Sequence, residues 1–208
     1  MGDEARVLIV CTGNICRSPF IERLLRHELQ ELQERRSAEG GGILVSSAGT
    51  GALIGSAMDA RAAAQLVAQG GDPSGFTARD LTADLIAGSD LVLTATREHR
   101  GQVAVMCPQA LRRVFTFRDF ADLVDGFDRA DQVDDLVDGP NTVASRADSR
   151  SWVRWVTERA AAGRGLNPPL NAADADIVDP YRRADEVFET MAQQVIGSMP
   201  AVVRALAG

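Results

Sequence analysis

The chain of 208 residues is long enough to form one medium-sized domain with a substantial hydrophobic core. Its 22 basic and 29 acidic side chains give a formal charge of −7 at pH 7, which is the wrong sign for a general binder of nucleic acid or anionic membranes. No apolar run approaches the length of a membrane span, the first residues lack a secretory-signal pattern, and the 3 cysteines suit a reducing compartment better than a disulfide framework. The sequence therefore predicts a cytoplasmic protein that binds neither nucleic acid nor membrane.

Strand and helix patterns alternate along the chain. Strand patterns occur near residues 6–10, 43–47, 90–95 and 112–116, and helical patterns occur near residues 19–36, 58–69, 97–106 and 184–206. This alternation predicts a single α/β domain, with a four-stranded parallel sheet and helices on both faces. Ligands bind at the carboxyl ends of such strands, where Cys11 and Ser47 lie.

The first predicted strand runs directly into a short loop that carries a cysteine and an arginine. Cys11 follows the apolar run Val7–Val10, and Arg17 comes six positions later, at the start of the first helical pattern. Backbone N–H groups in such a loop point into one concavity, where the helix dipole adds positive potential. The same field favours the thiolate form of Cys11, and the planar guanidinium of Arg17 suits two phosphate oxygens. The pattern therefore predicts a phosphate-binding loop with a nucleophile at its base.

The other residues of the loop suit this role. Gly13 permits close approach of the backbone, Asn14 tolerates the left-handed conformation, and the Ser18 hydroxyl can donate to the Cys11 sulfur. A free cysteine at a strand end is also common as a small buried hydrophobe, but the strand before the loop and the helix after it agree with a functional loop. The predicted phosphate-binding residues are Thr12, Gly13, Asn14, Ile15, Cys16, Arg17 and Ser18.

The octapeptide CTGNICRS, residues 11–18, resembles the signature of the low-molecular-weight protein tyrosine phosphatases. Later segments resemble further landmarks of that family in the same order, and they are Ser46–Thr50, Ala78–Leu81 and Asp179–Tyr181. The resemblance implies that Ser47 supports the loop asparagine, and that Asp179 is the general acid of a phosphomonoester hydrolase that works through a cysteinyl-phosphate. Asp176 is the rival candidate for the acid, but only Asp179 is followed by Pro-Tyr. The implied catalytic residues are Cys11, Arg17 and Asp179, and neither a metal nor a cofactor is expected.

The substrate that the resemblance implies is a phosphorylated protein, with phosphotyrosine favoured. Tyr181, the single tyrosine of the chain, would form one wall of the substrate pocket. On the opposite wall, where the family commonly has an aromatic residue, this chain has Leu53. The related protein-arginine phosphatases carry threonine at the position of Ile15, so this residue favours a phosphate ester over a phosphoguanidine.

Two functions of other classes also fit parts of the pattern. A thiol-dependent arsenate reductase has a similar loop, but it needs a further pair of cysteines, and only Cys107 lies beyond the loop. A phosphoprotein-binding module without catalysis should have lost the nucleophile or the acid, and both are present. Turnover of an aryl phosphate, compared with thioredoxin-coupled turnover of arsenate, separates hydrolysis from reduction.

The remaining thiol of the loop and the two histidines are further candidates for chemistry. Cys16 lies five residues after Cys11, close enough for a disulfide that would protect an oxidised nucleophile. His27 and His99 are expected to be surface or helix-capping residues. A zinc site that joined them to the two loop cysteines would lack the usual ligand spacing.

A segment near the middle of the chain has no counterpart in the family that the sequence resembles. An insertion is therefore expected at about residues 120–171 of a phosphatase-like domain that spans residues 1–208. Its aspartate-rich start, residues 120–140, is predicted to be a solvated loop or a short helix. Trp152 and Trp155 lie three apart and are expected to pack a helix onto the domain.

Overall fold

Four parallel strands form the single sheet of the protein, in a computed structural model that describes residues 4–36, 42–125, 148–165 and 170–208. The strands are β1 (Ala5–Cys11), β2 (Ile43–Gly49), β3 (Leu91–Thr94) and β4 (Val114–Thr116), in the spatial order β2-β1-β3-β4. The register aligns Cys11 with Gly49 and Val10 with Thr94, so the carboxyl ends of three strands meet at one edge. The predicted four-stranded parallel sheet is confirmed.

Helices cover both faces of this sheet, as predicted. They are α1 (Arg17–Arg36), α2 (Ala60–Ala68), α3 (Ala83–Ala87), α4 (Arg97–Met106), α5 (Phe117–Asp125), α6 (Ser149–Gly163), α7 (Ala172–Ala175) and α8 (Asp185–Ala207). Alternate side chains of β1 point to opposite faces. Val7 and Ile9 join the core that includes α1, α2, α5, α6 and α8, whereas Leu8 and Val10 join a second core with α3 and α4.

Some boundaries differ from the prediction. Residues 112–113 were expected in the fourth strand, but they end a 3₁₀ helix, Pro108–Arg113. Proline suits the first turn of a helix because its missing N–H would have no partner there. The short helices α3 and α7 are absent from the prediction, and their first turns are capped by the side chains of Thr82 and Asn171.

For the first residues of the segment that begins at residue 120, the predicted short helix is confirmed and the predicted solvation is wrong. Phe120, Ala121 and Val124 lie on the buried side of α5, because their spacing matches a helix period and gives α5 one apolar face. Residues 126–147 lie outside the described residues. The assignment of residues 120–171 as an insertion stays a prediction.

The two tryptophans of α6 pack on the domain, as expected. The rings of Trp152 and Trp155 stack with their centroids 5.1 Å apart, and both pack against the core that includes α1, α2, α5 and α8. Trp152 also donates a hydrogen bond from Nε1 to the Ala205 carbonyl at 3.0 Å, which connects α6 to the end of α8.

Arginine side chains cover backbone carbonyls on the edge strand β2. Arg26 donates from Nε to the Val45 carbonyl at 2.7 Å, and Arg79 donates from Nε to the Ser47 carbonyl at 2.8 Å. These carbonyls therefore have partners even though no strand of the described residues lies beyond β2.

The other edge strand, β4, is covered in a similar way. Arg164 hydrogen-bonds the Val114 carbonyl, and its guanidinium carbon lies 3.6 Å from the centre of the Phe115 ring. Burial in this position lowers the pKa of Arg164 to about 10.

A buried carboxylate fastens α6 to the sheet. Asp90 precedes β3, and its side chain is 1% exposed. Its Oδ1 atom accepts hydrogen bonds from Arg150 Nε at 3.0 Å and Arg154 Nε at 2.8 Å, while its Oδ2 atom accepts one from the backbone N–H of Arg6 at 3.0 Å. Asp90 thus joins the start of β1 to two turns of α6.

We expect Asp90→Ala to lower the free energy of unfolding by about 2 kcal/mol, because the Arg6 N–H loses its acceptor and α6 loses its anchor. Urea unfolding measures the change. The control is Asp125→Ala, which breaks the exposed Asp125–Arg204 pair, where both side chains are 64% exposed. An exposed pair contributes about 0.5 kcal/mol or less, so equal losses in the two variants would contradict this account of Asp90.

Candidate active site

The loop after β1 is held against the segment that follows β2. Gly51 N–H donates to the Thr12 carbonyl at 3.1 Å, and Leu53 N–H donates to the Gly13 carbonyl at 3.0 Å. This approach requires glycine at position 49, because a Cβ atom there would lie 2.3 Å from the Thr12 carbonyl oxygen. The conformation of the loop therefore depends on a glycine at the end of the neighbouring strand.

The side-chain amide of Asn14 organises the loop from inside. Asn14 has a φ of 53°, and its Oδ1 atom accepts the backbone N–H of Arg79 at 2.9 Å, which sets the orientation of the amide. Its Nδ2 group must then donate to both neighbouring hydroxyls, Ser18 Oγ at 2.9 Å and Ser47 Oγ at 2.8 Å. Because Ser18 Oγ accepts from Asn14, its own proton is free to point at Cys11 Sγ, 2.9 Å away. The network thus directs a hydrogen-bond donor at the buried sulfur.

The network continues to a buried glutamate that the sequence analysis did not identify. Ser47 donates to Glu22 Oε2 at 2.5 Å, and Arg26 contacts Glu22 Oε1 at 3.0 Å. Glu22 is buried, so these partners compensate for the loss of its hydration. The spacing of Glu22 and Arg26, four residues apart on a helix, is the only local signal for this pair. The structure places Ser47 beside Asn14, as the resemblance implied.

Arg17 lies beneath the loop and contacts Asp179. Arg17 Nη2 is 2.8 Å from Asp179 Oδ2, and the two side chains are 5% and 53% exposed, respectively. Arg17 Nε is buried and has no hydrogen-bond partner among the described residues. A buried N–H without an acceptor is costly, so an oxyanion at this position would be stabilised by it.

One cavity of about 130 Å³ brings together nearly all of the predicted site residues. Its lining consists of Cys11, Thr12, Gly13, Ile15, Cys16, Arg17, Gly51, Leu53, Asp179 and Tyr181. Leu53 is 41% exposed and Tyr181 is 40% exposed, so both present apolar surface at the opening. Asn14, Ser18 and Ser47 do not line the cavity but support it from behind.

The rival acid, Asp176, has a different environment from Asp179. Its Oδ1 atom accepts the backbone N–H of Arg97 at 2.8 Å, at the first residue of α4, and its carboxylate pairs with the Arg97 guanidinium at 3.4 Å. Asp176 is not part of the cavity lining. Its contacts stabilise the start of a helix, where a negative charge is favourable.

The expectation of a surface or purely capping role is wrong for His99. Its ring is buried, with Nε2 2.8 Å from Thr12 Oγ1 and Nδ1 2.7 Å from Thr96 Oγ1. Burial, together with the positive charge of Arg17, lowers the pKa of His99 to about 4, against the opposing effects of Asp179 and Asp176. His99 is therefore neutral at neutral pH. No local pattern could reveal that it reaches the loop, because 87 residues separate it from Thr12.

Cys16 is a buried thiol that lines the same cavity. Burial raises the pKa of Cys16 to about 12, and the negative charges of Asp59, Cys11 and Asp179 act in the same direction. Its thiol therefore stays protonated at neutral pH. All 3 cysteines are free.

The described residues offer no group of three histidine, cysteine or acidic side chains placed to hold a metal ion. Among the helices of the described residues, none combines the length and apolar character needed to cross a membrane.

Comparison with known proteins identifies the family. Residues 6–140 match the family model described as "Low molecular weight phosphotyrosine protein phosphatase". The chain is 38% identical to low molecular weight protein-tyrosine-phosphatase Etp and 35% identical to low molecular weight protein-tyrosine-phosphatase Wzb, both from Escherichia coli K12. Each match extends over 111 residues, which are 53% of this chain and 68% of the relative. The chain belongs to the low molecular weight phosphotyrosine protein phosphatase family. It is thus a cysteine-dependent protein tyrosine phosphatase that acts on phosphorylated protein, as the sequence predicted.

Solved structures share the fold. Wzb from Vibrio vulnificus in complex with benzylphosphonate matches with a TM-score of 0.62 and 23% identity, over 96% of this chain and 97% of that one. The YwlE arginine phosphatase from Geobacillus stearothermophilus matches with a TM-score of 0.61 and 22% identity, over 96% of this chain and 91% of that one. Both comparisons support the predicted α/β architecture.

Two substitutions of Asn14 separate the roles of its amide and its backbone. Asn14→Ala removes the amide and leaves a β-carbon at positive φ, whereas Asn14→Gly removes the amide but relieves the backbone. We expect both to lower kcat/KM for p-nitrophenyl phosphate at least about tenfold, because Ser18 is no longer oriented toward Cys11. The free energy of unfolding of Asn14→Ala should be about 1 kcal/mol lower than that of Asn14→Gly. Wild-type activity in Asn14→Gly would contradict the role of the amide.

Proposed function

We propose that Cys11 is the nucleophile, Arg17 the phosphate-binding cation and Asp179 the general acid and base of this phosphatase. In the first step the Cys11 thiolate attacks phosphorus, the bond from phosphorus to the leaving oxygen breaks, and its electron pair goes to that oxygen, which takes a proton from Asp179. The product is a cysteinyl-phosphate and a free hydroxyl group.

In the second step a water molecule attacks the cysteinyl-phosphate. Asp179, now a carboxylate, takes a proton from the water, the sulfur–phosphorus bond breaks, and the electron pair returns to Cys11 as thiolate. Arg17 and the backbone N–H groups from Thr12 to Ser18 stabilise the charge on the phosphoryl oxygens in both steps. Ser18 donates to the sulfur whenever it carries negative charge.

The observation that carries this proposal is the single cavity in which a thiol, a buried guanidinium and a carboxylate converge. The contact between Arg17 and Asp179 has a specific consequence for the reaction. When the guanidinium binds phosphate oxygens in place of Asp179, the carboxyl group is released to serve the leaving oxygen. Its 53% exposure leaves it free to move in this way.

We propose phosphotyrosine as the preferred substrate group. Support comes from the exposed ring of Tyr181 and the side chain of Leu53, which offer two apolar walls to a phenyl ring at the opening of the cavity. Ile15 lines the same cavity, and its apolar side chain suits an ester better than a phosphoguanidine, which carries N–H groups that need acceptors. The cytoplasmic location predicted from the sequence is part of this proposal and is supported by the free cysteines.

Arsenate reduction has less support than hydrolysis. It needs further thiols near the nucleophile, and Cys107 packs in the second core, with Leu8 and Val10, on the opposite face of the sheet from Cys16. Parallel assays with a phosphotyrosine peptide, a phosphoarginine peptide and thioredoxin-coupled arsenate decide between the alternatives. We expect turnover of the phosphotyrosine peptide to exceed the other two by at least about tenfold, and faster turnover of either competitor would overturn the proposal.

We expect Cys11→Ser to lower kcat by more than about a thousandfold, because the serine hydroxyl is a far weaker nucleophile than the thiolate. Phosphate binding, measured by calorimetry, should remain, since Arg17 and the loop N–H groups are unchanged. Activity within about tenfold of the wild type would rule out Cys11 as the nucleophile.

We expect Asp179→Asn to lower kcat about a hundredfold for phenyl phosphate and much less for p-nitrophenyl phosphate, because a weakly basic leaving group needs little help from a proton. A series of aryl phosphates of graded leaving-group basicity measures the effect. Asp176→Asn is the matched control and should lower all rates equally, through the start of α4. A leaving-group dependence in Asp176→Asn instead would mean that the acid is misassigned.

We propose that Cys16 protects Cys11 from irreversible oxidation. Peroxide converts the Cys11 thiolate to a sulfenic acid, and attack by Cys16 on that sulfur releases water and leaves a Cys11–Cys16 disulfide. The buried Cys16 thiol is protonated, so it gives up its proton as it attacks, and this proton leaves with the hydroxyl of the sulfenic acid as water. Bound phosphate should protect Cys11 by covering it.

We expect peroxide to inactivate the wild type reversibly, with recovery in dithiothreitol. Cys16→Ser should be active before oxidation but should fail to recover afterwards, because its sulfenic acid is oxidised further. The measurement is the fraction of activity restored after a timed peroxide pulse, with Cys107→Ser as the control. Equal recovery in Cys16→Ser and the wild type would reject the disulfide.

A further inference from the structure

The side chain of Thr12 connects the reaction cavity to a buried histidine. Thr12 directly follows Cys11, is exposed and lines the cavity. Its Oγ1 atom lies 2.8 Å from His99 Nε2, whose ring is buried. Because this hydroxyl contacts both the buried ring and the cavity, its hydrogen bond to His99 can set the direction in which the hydroxyl proton points within the cavity.

The contacts of Thr96 determine which ring nitrogen of His99 carries the proton. Thr96 Oγ1 caps α4 by accepting the His99 backbone N–H at 3.3 Å, and it also lies 2.7 Å from His99 Nδ1. If the Thr96 hydroxyl donates to Nδ1, its proton has an acceptor and Nδ1 carries none. If Nδ1 carried the proton instead, Thr96 Oγ1 would receive two donors and its own proton would lose this acceptor. Each arrangement leaves one hydroxyl proton without an acceptor among the described residues, that of Thr12 in the first and that of Thr96 in the second. Thr12 is exposed whereas Thr96 is partly buried, so the first arrangement leaves the unpaired proton where solvent or a ligand can accept it.

The ring of His99 then has one proton, on Nε2, and this proton points at Thr12. The charged groups that act on the ring are Arg17, Asp179 and Asp176, and together with burial they leave it neutral at neutral pH. A neutral ring with an unprotonated Nδ1 must donate from Nε2. Thr12 Oγ1 accepts that hydrogen bond, so the Thr12 hydroxyl proton is available to another acceptor.

We propose that Thr12 is a further catalytic residue, whose hydroxyl donates a hydrogen bond to a phosphoryl oxygen, and that His99 is the positioning residue that turns this hydroxyl toward the cavity. The inference rests on the proposed function of the Cys11 loop. It adds one side-chain donor to the backbone N–H groups, at the residue next to the nucleophile. The donor is already oriented before the phosphate arrives, so little reorganisation is needed during the reaction.

The experiment compares four single variants and one double variant, with p-nitrophenyl phosphate as substrate and vanadate as inhibitor. Thr12→Val removes the hydroxyl and keeps the shape of the side chain. His99→Gln can place an amide N–H near the position of Nε2, whereas His99→Asn reaches only as far as Nδ1. Thr77→Val makes the same chemical change at an exposed threonine that does not line the cavity, and serves as the matched control.

We expect Thr12→Val and His99→Asn each to lower kcat/KM about tenfold and to raise the vanadate inhibition constant by a similar factor. The double variant Thr12→Val/His99→Asn should be no worse than either single variant, because His99 acts through Thr12. His99→Gln should stay within about threefold of the wild type, because it keeps the donor. Thr77→Val should match the wild type.

Three outcomes would overturn the inference: wild-type kinetics in Thr12→Val, multiplied losses in the double variant, or equal losses in His99→Gln and His99→Asn. Thermal unfolding shows which variants are folded at the assay temperature. If His99→Asn is not folded, Thr12→Val alone decides, since wild-type kinetics in that variant reject the donor. If Thr12→Val has wild-type kinetics while Cys11→Ser is inactive, the role of Thr12 is rejected and the proposed function stands. If Cys11→Ser is active, the proposed function itself is rejected.

Discussion

The site depends on one side-chain amide in an unusual backbone conformation. Asn14 can occupy positive φ because its short polar side chain forms local hydrogen bonds that offset the strain. The Arg79 N–H sets the amide's orientation, and that orientation decides the direction of every later hydrogen bond, through Ser18 to Cys11 and through Ser47 to Glu22. A reversal of the amide would place an oxygen where both serines need a donor. The loop is therefore a single cooperative unit rather than a set of separate anion contacts.

The charges around this unit differ in mobility. Arg17 is buried beneath the loop, while Asp179 stands at the opening with half of its side chain in solvent. A phosphate-binding group must hold its position through both chemical steps, but an acid that later acts as a base must exchange protons with a leaving group and with water. The difference in burial matches these two requirements. Arg17 is anchored by the start of α1, whereas Asp179 lies between α7 and α8, outside both helices.

The features of the fold and site that the sequence predicts are those that depend on residues close together along the chain. The loop from Cys11 to Ser18, the parallel sheet and the pair Asp179 and Tyr181 are all encoded in short segments, where strand pattern, glycine, proline and helix pattern agree. The sequence did not reveal the roles of Glu22 and His99. Their partners, Ser47 and Thr12, lie 25 and 87 residues away along the chain. Glu22 and His99 each look like an ordinary polar residue of an amphipathic helix until the fold brings the partner close.

Boundary errors have a similar origin. Apolar residues near position 112 fit a strand, but Pro108 begins a 3₁₀ helix that takes up the residues before Val114. The aspartates after Phe117 suggest solvation, yet they belong to α5, where phenylalanine and valine side chains are buried in the core. In both cases a single residue type is less informative than the helical period and the core against which the segment packs.

The arginines that cover β2 and β4 bear on the behaviour of the protein at high concentration. An edge strand with free carbonyls is a template for strands of other molecules, and this is a common route to aggregation. All 22 basic residues of the chain are arginines, and the guanidinium fork can cap a carbonyl while it keeps a second partner, which a lysine ammonium does less well. Arg26 does so with Val45 and Glu22. In a variant without Arg26, the Val45 carbonyl on the edge of β2 would lose this partner and could pair with a strand of another molecule. The turbidity of its solutions would therefore rise with protein concentration even where the fold is retained.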